Sequence, residues 1–311
     1  MNKMPVISTV AAAYGFAFRR YLTVLGIVWL PLAILVAIVY LFMTQIGPDY
    51  LALMHQAMIS PKDIDPATAS DISRWVLPFD VIVLVLFIMM RVGITKEVLG
   101  MRTGPRFLHV SFGGAEFRLL AAYILVFLMI AAAAIGFALI VGILALIGVA
   151  AAGAHGGANS LSGPAGIAAF VVCLAAALAF VYAFVRLTFF LAPAAVTEKT
   201  GIGIARSWRL GKGNFWRIVA AMFLIAIPIL VAEIVIAAVW LGPFIAALVQ
   251  ATPHGDKAVA DAIQSMLQSY FRDMPYVLVF GFVAGPVLYG LLFSPPAFAY
   301  RAMEEEAKSA T

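Results

Sequence analysis

Two carboxylic acids interrupt long apolar stretches of this chain, and they are the residues best suited to chemistry inside a membrane. Glu233 lies 16 residues after Arg217, which is about 24 Å along a helix. Asp80 lies just after Pro78 and six residues after Arg74. A carboxyl group surrounded by lipid is costly, so such residues face the bundle interior or a cavity. Glu233 and Asp80 therefore form the candidate intramembrane polar site, as a proton- or cation-linked site or a substrate pocket.

A structural role for the same two acids stays open. Asp80 can cap a helix or lie at the outer membrane boundary, and Glu233 can be neutral and hydrogen-bonded to a carbonyl or hydroxyl group. No basic residue is placed to pair with Glu233. Glu233 is predicted to lie in the outer half of the membrane, whereas Arg91 and Arg186 lie towards the cytoplasmic ends of their spans. The sequence supports both alternatives.

The remaining chemistry-bearing residues predict neither a metal site nor an enzyme. His55, His155 and His254 fall in three different predicted loops, too scattered for metal ligands. The chain lacks the paired acidic and histidine motifs that metal-dependent ester hydrolysis needs. The single cysteine, Cys173, lies inside a predicted span and reads as a packing residue. We expect no catalytic residue, no metal and no cofactor.

The composition is that of a membrane protein. Hydrophobic residues make up 64% of the chain and charged residues 11%, whereas soluble domains are about half apolar and a quarter charged. Charge-free runs predict an all-α fold with six transmembrane helices, near 21–44, 75–99, 117–149, 164–191, 215–248 and 275–301. The third and fifth exceed the bilayer thickness and must tilt, protrude or break, with Gly136, Gly142, Pro228 and Gly242-Pro243 as candidate break points.

The basic residues predict the orientation. With the N-terminus, the second and fourth connections and the C-terminus on one side, that side holds 16 of the 20 basic residues. The positive-inside rule then places both termini in the cytoplasm of a bacterium, with the chain in the inner membrane. The net charge of +5 is thus a topology signal, and we expect no nucleic-acid partner.

An internal repeat of 99 residues is predicted from three aromatic-arginine pairs, Phe18-Arg19, Phe117-Arg118 and Trp216-Arg217. Each pair opens an apolar span and follows a stretch with helical periodicity, over 10–18, 107–117 and 204–215. Residues 1–311 then form a single membrane domain of three units, about 4–100, 101–201 and 202–303, with a short tail at 302–311. Each unit is an amphipathic interfacial helix followed by a helical hairpin.

Two outer loops predict further helices. A short one is expected at 50–58. Apolar residues over 251–274 follow an i, i+3, i+4, i+7 pattern, which predicts a helix on the outer membrane surface or capping the bundle.

The most distinctive stretch runs from Arg186 to Arg217. It reads as an elbow between the fourth and fifth spans: Pro193 ends or kinks the fourth span, a short helix at 202–210 carries an interfacial Trp208, and glycines turn the chain. A second interpretation is a docking surface or lipid-headgroup site, because arginines and lysines cluster there. These cationic residues are Arg206, Arg209, Lys212 and Arg217.

This stretch resembles the signature of bacterial multi-pass inner-membrane proteins related to the membrane domain of glycerophosphoryl diester phosphodiesterases, the YciC-type family. The matching positions are Arg186, Pro193, Glu198, Gly201, Ser207, Trp208, Gly213, Phe215, Trp216 and Arg217. Gly211 stands where the family pattern usually has threonine. The resemblance implies architecture rather than catalysis, because in those phosphodiesterases the chemistry belongs to a separate soluble barrel of about 250 residues.

These observations predict a non-enzymatic inner-membrane protein that is a structural, accessory or lipid-contacting component of the envelope. Its expected partners are membrane lipids and a membrane-protein partner or a second copy of the chain. The alternative is a small transporter or lipid-handling protein with its polar site at Glu233 and Asp80.

Overall fold

The computed structural model describes residues 3–59, 66–102, 113–155 and 164–309. In this part of the chain every regular element is helical, as the sequence predicts. The helices are α1 Val6–Tyr14, α2 Tyr21–Ile59, α3 Pro66–Val98, α4 Gly114–His155, α5 Pro164–Thr188, α6 Leu191–Thr197, α7 Ile204–Gly211, α8 Phe215–Ala251, α9 Asp256–Phe293 and α10 Pro295–Ser309. A π-helical turn, Gly15–Arg19, joins α1 to α2, and a 3₁₀ turn, Thr252–His254, joins α8 to α9.

Six helical segments are long and apolar enough to cross a membrane. They correspond to the six predicted spans, which makes the chain an integral membrane protein by helix length and composition. In lipid only a helix or a closed barrel satisfies every backbone hydrogen bond, which explains why the apolar runs fold as helices.

The third and fifth spans are continuous. α4 passes through Gly136 and Gly142 as regular helix, and α8 passes through Pro228 and Pro243. A glycine costs a helix only about 1 kcal/mol, and proline is tolerated in transmembrane helices. At 42 and 37 residues, α4 and α8 are about 63 and 55 Å long, against a hydrocarbon core of about 30 Å. They must therefore tilt or protrude.

The prediction for the sixth span, 275–301, is wrong at both ends. α9 already begins at Asp256 and runs through Pro275 to Phe293, so the predicted loop helix at 251–274 is the first half of the same helix. The span stops at Ser294 because two successive prolines follow, and each lacks the N–H that would continue the helix. α10 then starts as a separate amphipathic helix.

Two other predicted boundaries also shift. The helix expected at 50–58 is the last part of α2, which continues through Pro48. The fourth span ends at Thr188 rather than near residue 191, and Pro193 does not end it. Pro193 is the third residue of α6, where proline is tolerated because the first turn has no intrahelical acceptor for its N–H.

One end of the bundle holds most of the buried core, and we call it the basic end. Its short helices α1, α6, α7 and α10 pack on the adjoining ends of α3, α4, α5, α8 and α9. Met4, Phe190, Leu191 and Tyr300 are almost fully buried there. α1 packs against α10, so the described ends of the chain lie together.

Away from the basic end the helices differ in how much of their surface is buried. α2, α3 and α9 pack along much of their length, with Phe42 on Phe79 at 4.6 Å between ring centroids and Gly47 against the Phe271 ring. One third of the most apolar segment is buried in α2, in α3 and in the α9–α10 segment, against 6% in α4, 11% in the α5–α6 segment and 17% in α8. The helices α4, α5 and α8 therefore present most of their surface to their surroundings.

The repeat stays a prediction. α1 with its π turn precedes α2, and α7 precedes α8, as two of the three units require. Most of the expected third helix, at 107–117, lies outside the described residues.

Candidate functional site

Arg91 of α3 carries a cation into an apolar part of the bundle near the basic end. One terminal nitrogen, Nη1, donates to the Tyr123 hydroxyl of α4, and Nη2 donates to the Thr188 carbonyl of α5 at 3.4 Å. The guanidinium carbon lies 5.5 Å from the Tyr123 ring centroid and 5.8 Å from that of Phe293. These contacts tie α3 to α4, α5 and the end of α9.

The guanidinium of Arg91 is only partly satisfied. Its Nε is buried and has no acceptor, and in the described chain no carboxylate lies within ion-pairing distance of it. A cation without a counter-ion in a low-dielectric region is costly. The two aromatic rings offset a part of that cost, since a cation over a ring face contributes about 0.5–2 kcal/mol.

Two cavities meet at Arg91. The first measures ≈ 530 Å³ and lies between α4, α5, α8 and the α9–α10 break. Besides Arg91 and Thr188 its lining is almost entirely apolar, and it includes Tyr123, Val126, Phe127, Ile130, Phe184, Phe189, Met222, Ile225, Ala226, Leu291, Leu292, Phe293, Pro295 and Pro296. We call it the first lobe.

The second cavity, the second lobe, measures ≈ 320 Å³ and follows α3. It is lined by Asp80, Val83, Leu84, Phe87 and Ile88 together with the three residues that it shares with the first lobe, Arg91, Tyr123 and Phe293. The shared residues form the junction of the two lobes, and Arg91 carries the only formal charge at that junction.

The structure does not bring the two predicted acids into one site. Asp80 is exposed at the end of the second lobe, about 16 Å along α3 from Arg91. Glu233 is exposed on α8, a helix that packs on α1, α5 and α9, and it lines neither lobe. Neither acid has a hydrogen-bonding or ion-pairing partner within the described ranges.

The predicted elbow is built around Arg186 of α5. Its Nε donates to the Trp208 carbonyl at 3.1 Å, Nη1 donates to the Tyr182 hydroxyl at 3.3 Å, and its guanidinium carbon lies 3.9 Å from the Trp208 ring centroid. The Ser207 hydroxyl donates to the Leu187 carbonyl. α7 is thus tied to the end of α5, and its observed bounds agree with the predicted helix at 202–210 to within two residues at the start and one at the end.

Close backbone contacts explain the glycines of the elbow. A Cβ on Gly211 would lie 2.6 Å from the Arg186 carbonyl oxygen, so the threonine of the family pattern does not fit here without a shift of the backbone. Gly203, which the sequence analysis missed, has φ +81° and lies against the backbone of Ala195. Gly201 and Gly213 also have positive φ, as turn glycines do.

The other motif residues fix the elbow to its neighbours. Pro193 is buried within α6, and Glu198 ends that helix beside Gly201. Phe215 packs on Tyr182, at 4.8 Å between ring centroids. Arg217 donates to the Met4 carbonyl at 2.8 Å, which ties the first residues to α8. Trp216 is exposed.

The cationic cluster of the elbow is partly neutralised. Arg206 donates to the Tyr300 hydroxyl and pairs with Glu304 of α10 at 3.1 Å. A second ion pair that the sequence analysis missed joins Lys96 to the fully buried Glu116 at 2.8 Å. Both pairs connect helices at the basic end.

Arg91 and Tyr123 were not predicted as site residues. A signal for Arg91 exists, because it is a charge eight residues inside the C-terminal end of the span predicted at 75–99. Tyr123 has no such signal, because a tyrosine in a span is common and its partner is set by how α3 packs on α4.

Comparison with family models, with curated proteins and with solved structures found no match to this chain. The resemblance to the YciC-type family therefore stays a prediction based on the 186–217 motif.

Proposed function

We propose that this integral membrane protein is a non-enzymatic, lipid-contacting component of the bacterial inner membrane that binds a phospholipid at Arg91. The phosphate lies against the guanidinium, and the acyl chains lie along the apolar walls. The observation that carries the proposal is that the Arg91 guanidinium lines an apolar cavity and has no carboxylate partner among the described residues.

The Arg91 guanidinium and the apolar first lobe match the phosphate and the acyl chains of a phospholipid. Arginine binds phosphate through charge-assisted hydrogen bonds, and its planar group can offer two donors at once. The buried Nε of Arg91 is a donor without an acceptor. The first lobe offers aliphatic and aromatic side chains and little polar surface, which suits an acyl chain and excludes a polar solute.

The depth of Arg91 also suits a lipid phosphate. Nη2 of Arg91 reaches Thr188, two residues beyond Arg186, whose guanidinium stacks on Trp208. Tryptophan favours the membrane interface, so the two arginines lie at similar depths near the headgroups. With the predicted orientation this is the cytoplasmic leaflet, where anionic lipids concentrate.

A transporter with its polar site at Asp80 and Glu233 is the second function that the sequence allows. It has less support, because Glu233 lines neither lobe. A homo-oligomer or a membrane-protein partner covering α4, α5 and α8 is compatible with either function.

The test is phospholipid retention after purification in a mild detergent, measured by native mass spectrometry. The wild-type chain should carry a bound phospholipid, and Arg91→Gln should lose it, because a charge-assisted hydrogen bond to phosphate contributes about 1.5–3 kcal/mol. Arg301→Gln is the matched control, since Arg301 is an exposed arginine at the basic end whose ion pair in the described chain is with Glu305.

Equal retention by wild type and Arg91→Gln would contradict the proposal. An arm with inorganic phosphate separates a lipid from a free anion: added phosphate should not displace the bound lipid, and a phosphate adduct in its place would also count against the proposal.

A further inference from the structure

We infer that the ligand at Arg91 is a two-chain phospholipid whose acyl chains diverge, one into each lobe. This inference rests on the proposed function and adds the class of lipid. Its basis is that two apolar cavities, lined by different helices, share one charged junction.

The junction combines one charged group with two aromatic rings. Arg91 donates to the Tyr123 hydroxyl there, and its guanidinium carbon lies 5.8 Å from the Phe293 ring centroid. Phe87, which lines the second lobe, packs edge to face on Tyr289 at 5.5 Å between ring centroids and also on Phe293. A single headgroup at the junction is in reach of both lobes.

The lobes leave the junction along different helices. The second lobe follows α3 back to Asp80, whereas the first lobe is walled by α4, α5 and α8. One extended chain cannot follow both paths, but two chains esterified to one glycerol can. A single-chain amphiphile would leave one lobe without its occupant.

The length of the second lobe fits one acyl chain. Eleven residues separate Asp80 from Arg91, which is about 16 Å along the helix. Half of the hydrocarbon core, the thickness that one acyl chain spans, is about 15 Å. Along the first lobe, the α4 residues from Tyr123 to Ile130 cover about 10 Å, and that lobe is the more voluminous of the two.

The lobe walls offer positions for blocking each chain separately. Val83 and Ala226 are partly buried and line the second and first lobes respectively. Val83→Phe and Ala226→Phe place a ring where a chain would lie. Val81→Phe and Ala238→Phe put the same ring at exposed positions of α3 and α8 and serve as matched controls.

The experiment titrates the delipidated protein with diacyl phosphatidylglycerol and with lysophosphatidylglycerol, which differ in one acyl chain, and measures affinity by native mass spectrometry. Val83→Phe and Ala226→Phe should each weaken the diacyl lipid about tenfold or more, because displacing two methylene groups already has that effect. Each should change the affinity for the single-chain lipid by less than about threefold. Retained binding of that lipid shows that the variants fold.

Three outcomes would overturn the two-chain inference. They are a lobe variant that binds the diacyl lipid like its control, a wild type that binds both lipids equally, and a loss of both lipids in one lobe variant only. None of these contradicts the proposed function, which fails separately if Arg91→Gln binds both lipids as tightly as wild type.

Discussion

Two arginines near the same end of the bundle have opposite surroundings. Arg186 is buried, stacks on Trp208 and donates two hydrogen bonds, to Trp208 and to Tyr182. Arg91 leaves its Nε without an acceptor and lines two cavities. Neither has a carboxylate partner in the part of the chain described. A charge inside a membrane protein is therefore not by itself a functional signal: what distinguishes the two is whether the protein alone satisfies the guanidinium.

The same contrast extends to the surrounding backbone. At the elbow, glycines let chain segments touch, as Gly211 does at Arg186. At the junction of the lobes, bulky side chains and the residues on both sides of the break at Ser294 border open space. We regard the elbow as a joint that holds α5 to α7 and α8, and the junction as a site.

The largest expected effect is at the elbow backbone. Gly203→Ala adds a Cβ that would lie 2.6 Å from the Ala195 nitrogen at a residue with φ +81°. Strain and overpacking together should lower the free energy of unfolding by about 4 kcal/mol. Gly213→Ala is the control, because its φ is +76° but nothing lies within 4 Å of the added carbon. Equal losses in thermal unfolding of the two variants would show that crowding at Gly203 is not important.

The next effect separates the two arginines by stability. Arg186→Gln removes the stacking on Trp208 and a hydrogen bond to its carbonyl, and should cost about 3 kcal/mol. Arg91→Gln, measured without lipid, should cost about 1 kcal/mol because it also removes an unsatisfied buried donor. Thermal unfolding of both variants in lipid-free detergent measures the difference, and a larger loss at Arg91 would reverse the comparison.

A third prediction concerns stabilisation by lipid. A ligand at about 100 times its Kd stabilises the folded state by about 2.7 kcal/mol. Added phospholipid should therefore raise the Tm of the wild type and of Arg186→Gln, and leave that of Arg91→Gln almost unchanged. If Arg91→Gln responded as the wild type does, the stabilisation would come from bulk lipid around the helices.

The smallest effect on stability is expected at Arg301, which belongs neither to the elbow nor to the junction of the lobes. Arg301 and Glu305 form an exposed i, i+4 pair at 2.8 Å, and such pairs contribute about 0.3–0.5 kcal/mol. Arg301→Gln should hardly change the thermal unfolding curve. A loss comparable to that of Arg186→Gln would mean that general positive charge at the basic end, rather than local contacts, stabilises the protein.

Much of the fold could be predicted because the membrane restricts the choice of structure. Charge-free runs indicate helices and their number, and the elbow helix α7 was predicted to within two residues at its start. The end of the sixth span was missed, because Pro295 and Pro296 lie in a run that stays apolar to Tyr300 and hydropathy does not register a lost N–H. The continuity of the predicted loop helix with the sixth span was missed because Pro275 suggests a helix boundary, whereas α9 continues through this proline.

The candidate site was less predictable. A carboxyl group within an apolar run is a clear signal in a sequence, and it led to Glu233 and Asp80 as the predicted polar site. Arg91 lies near a span end, where arginine often extends to the headgroups, so its position in the sequence does not by itself predict a binding site. Only the packing of α3 against α4 and α5 shows that its guanidinium meets Tyr123 and Thr188 at the junction of two cavities.

The most direct measurement is photo-crosslinking with a diacyl phospholipid that carries a photoreactive group in one acyl chain, followed by peptide mapping. We predict labelling of the lobe walls, at Val126 and Ile130 of α4 and at Val83 and Leu84 of α3, and its loss in Arg91→Gln. Labelling spread evenly over exposed residues such as Ile143 and Val239, and unchanged in Arg91→Gln, would contradict it.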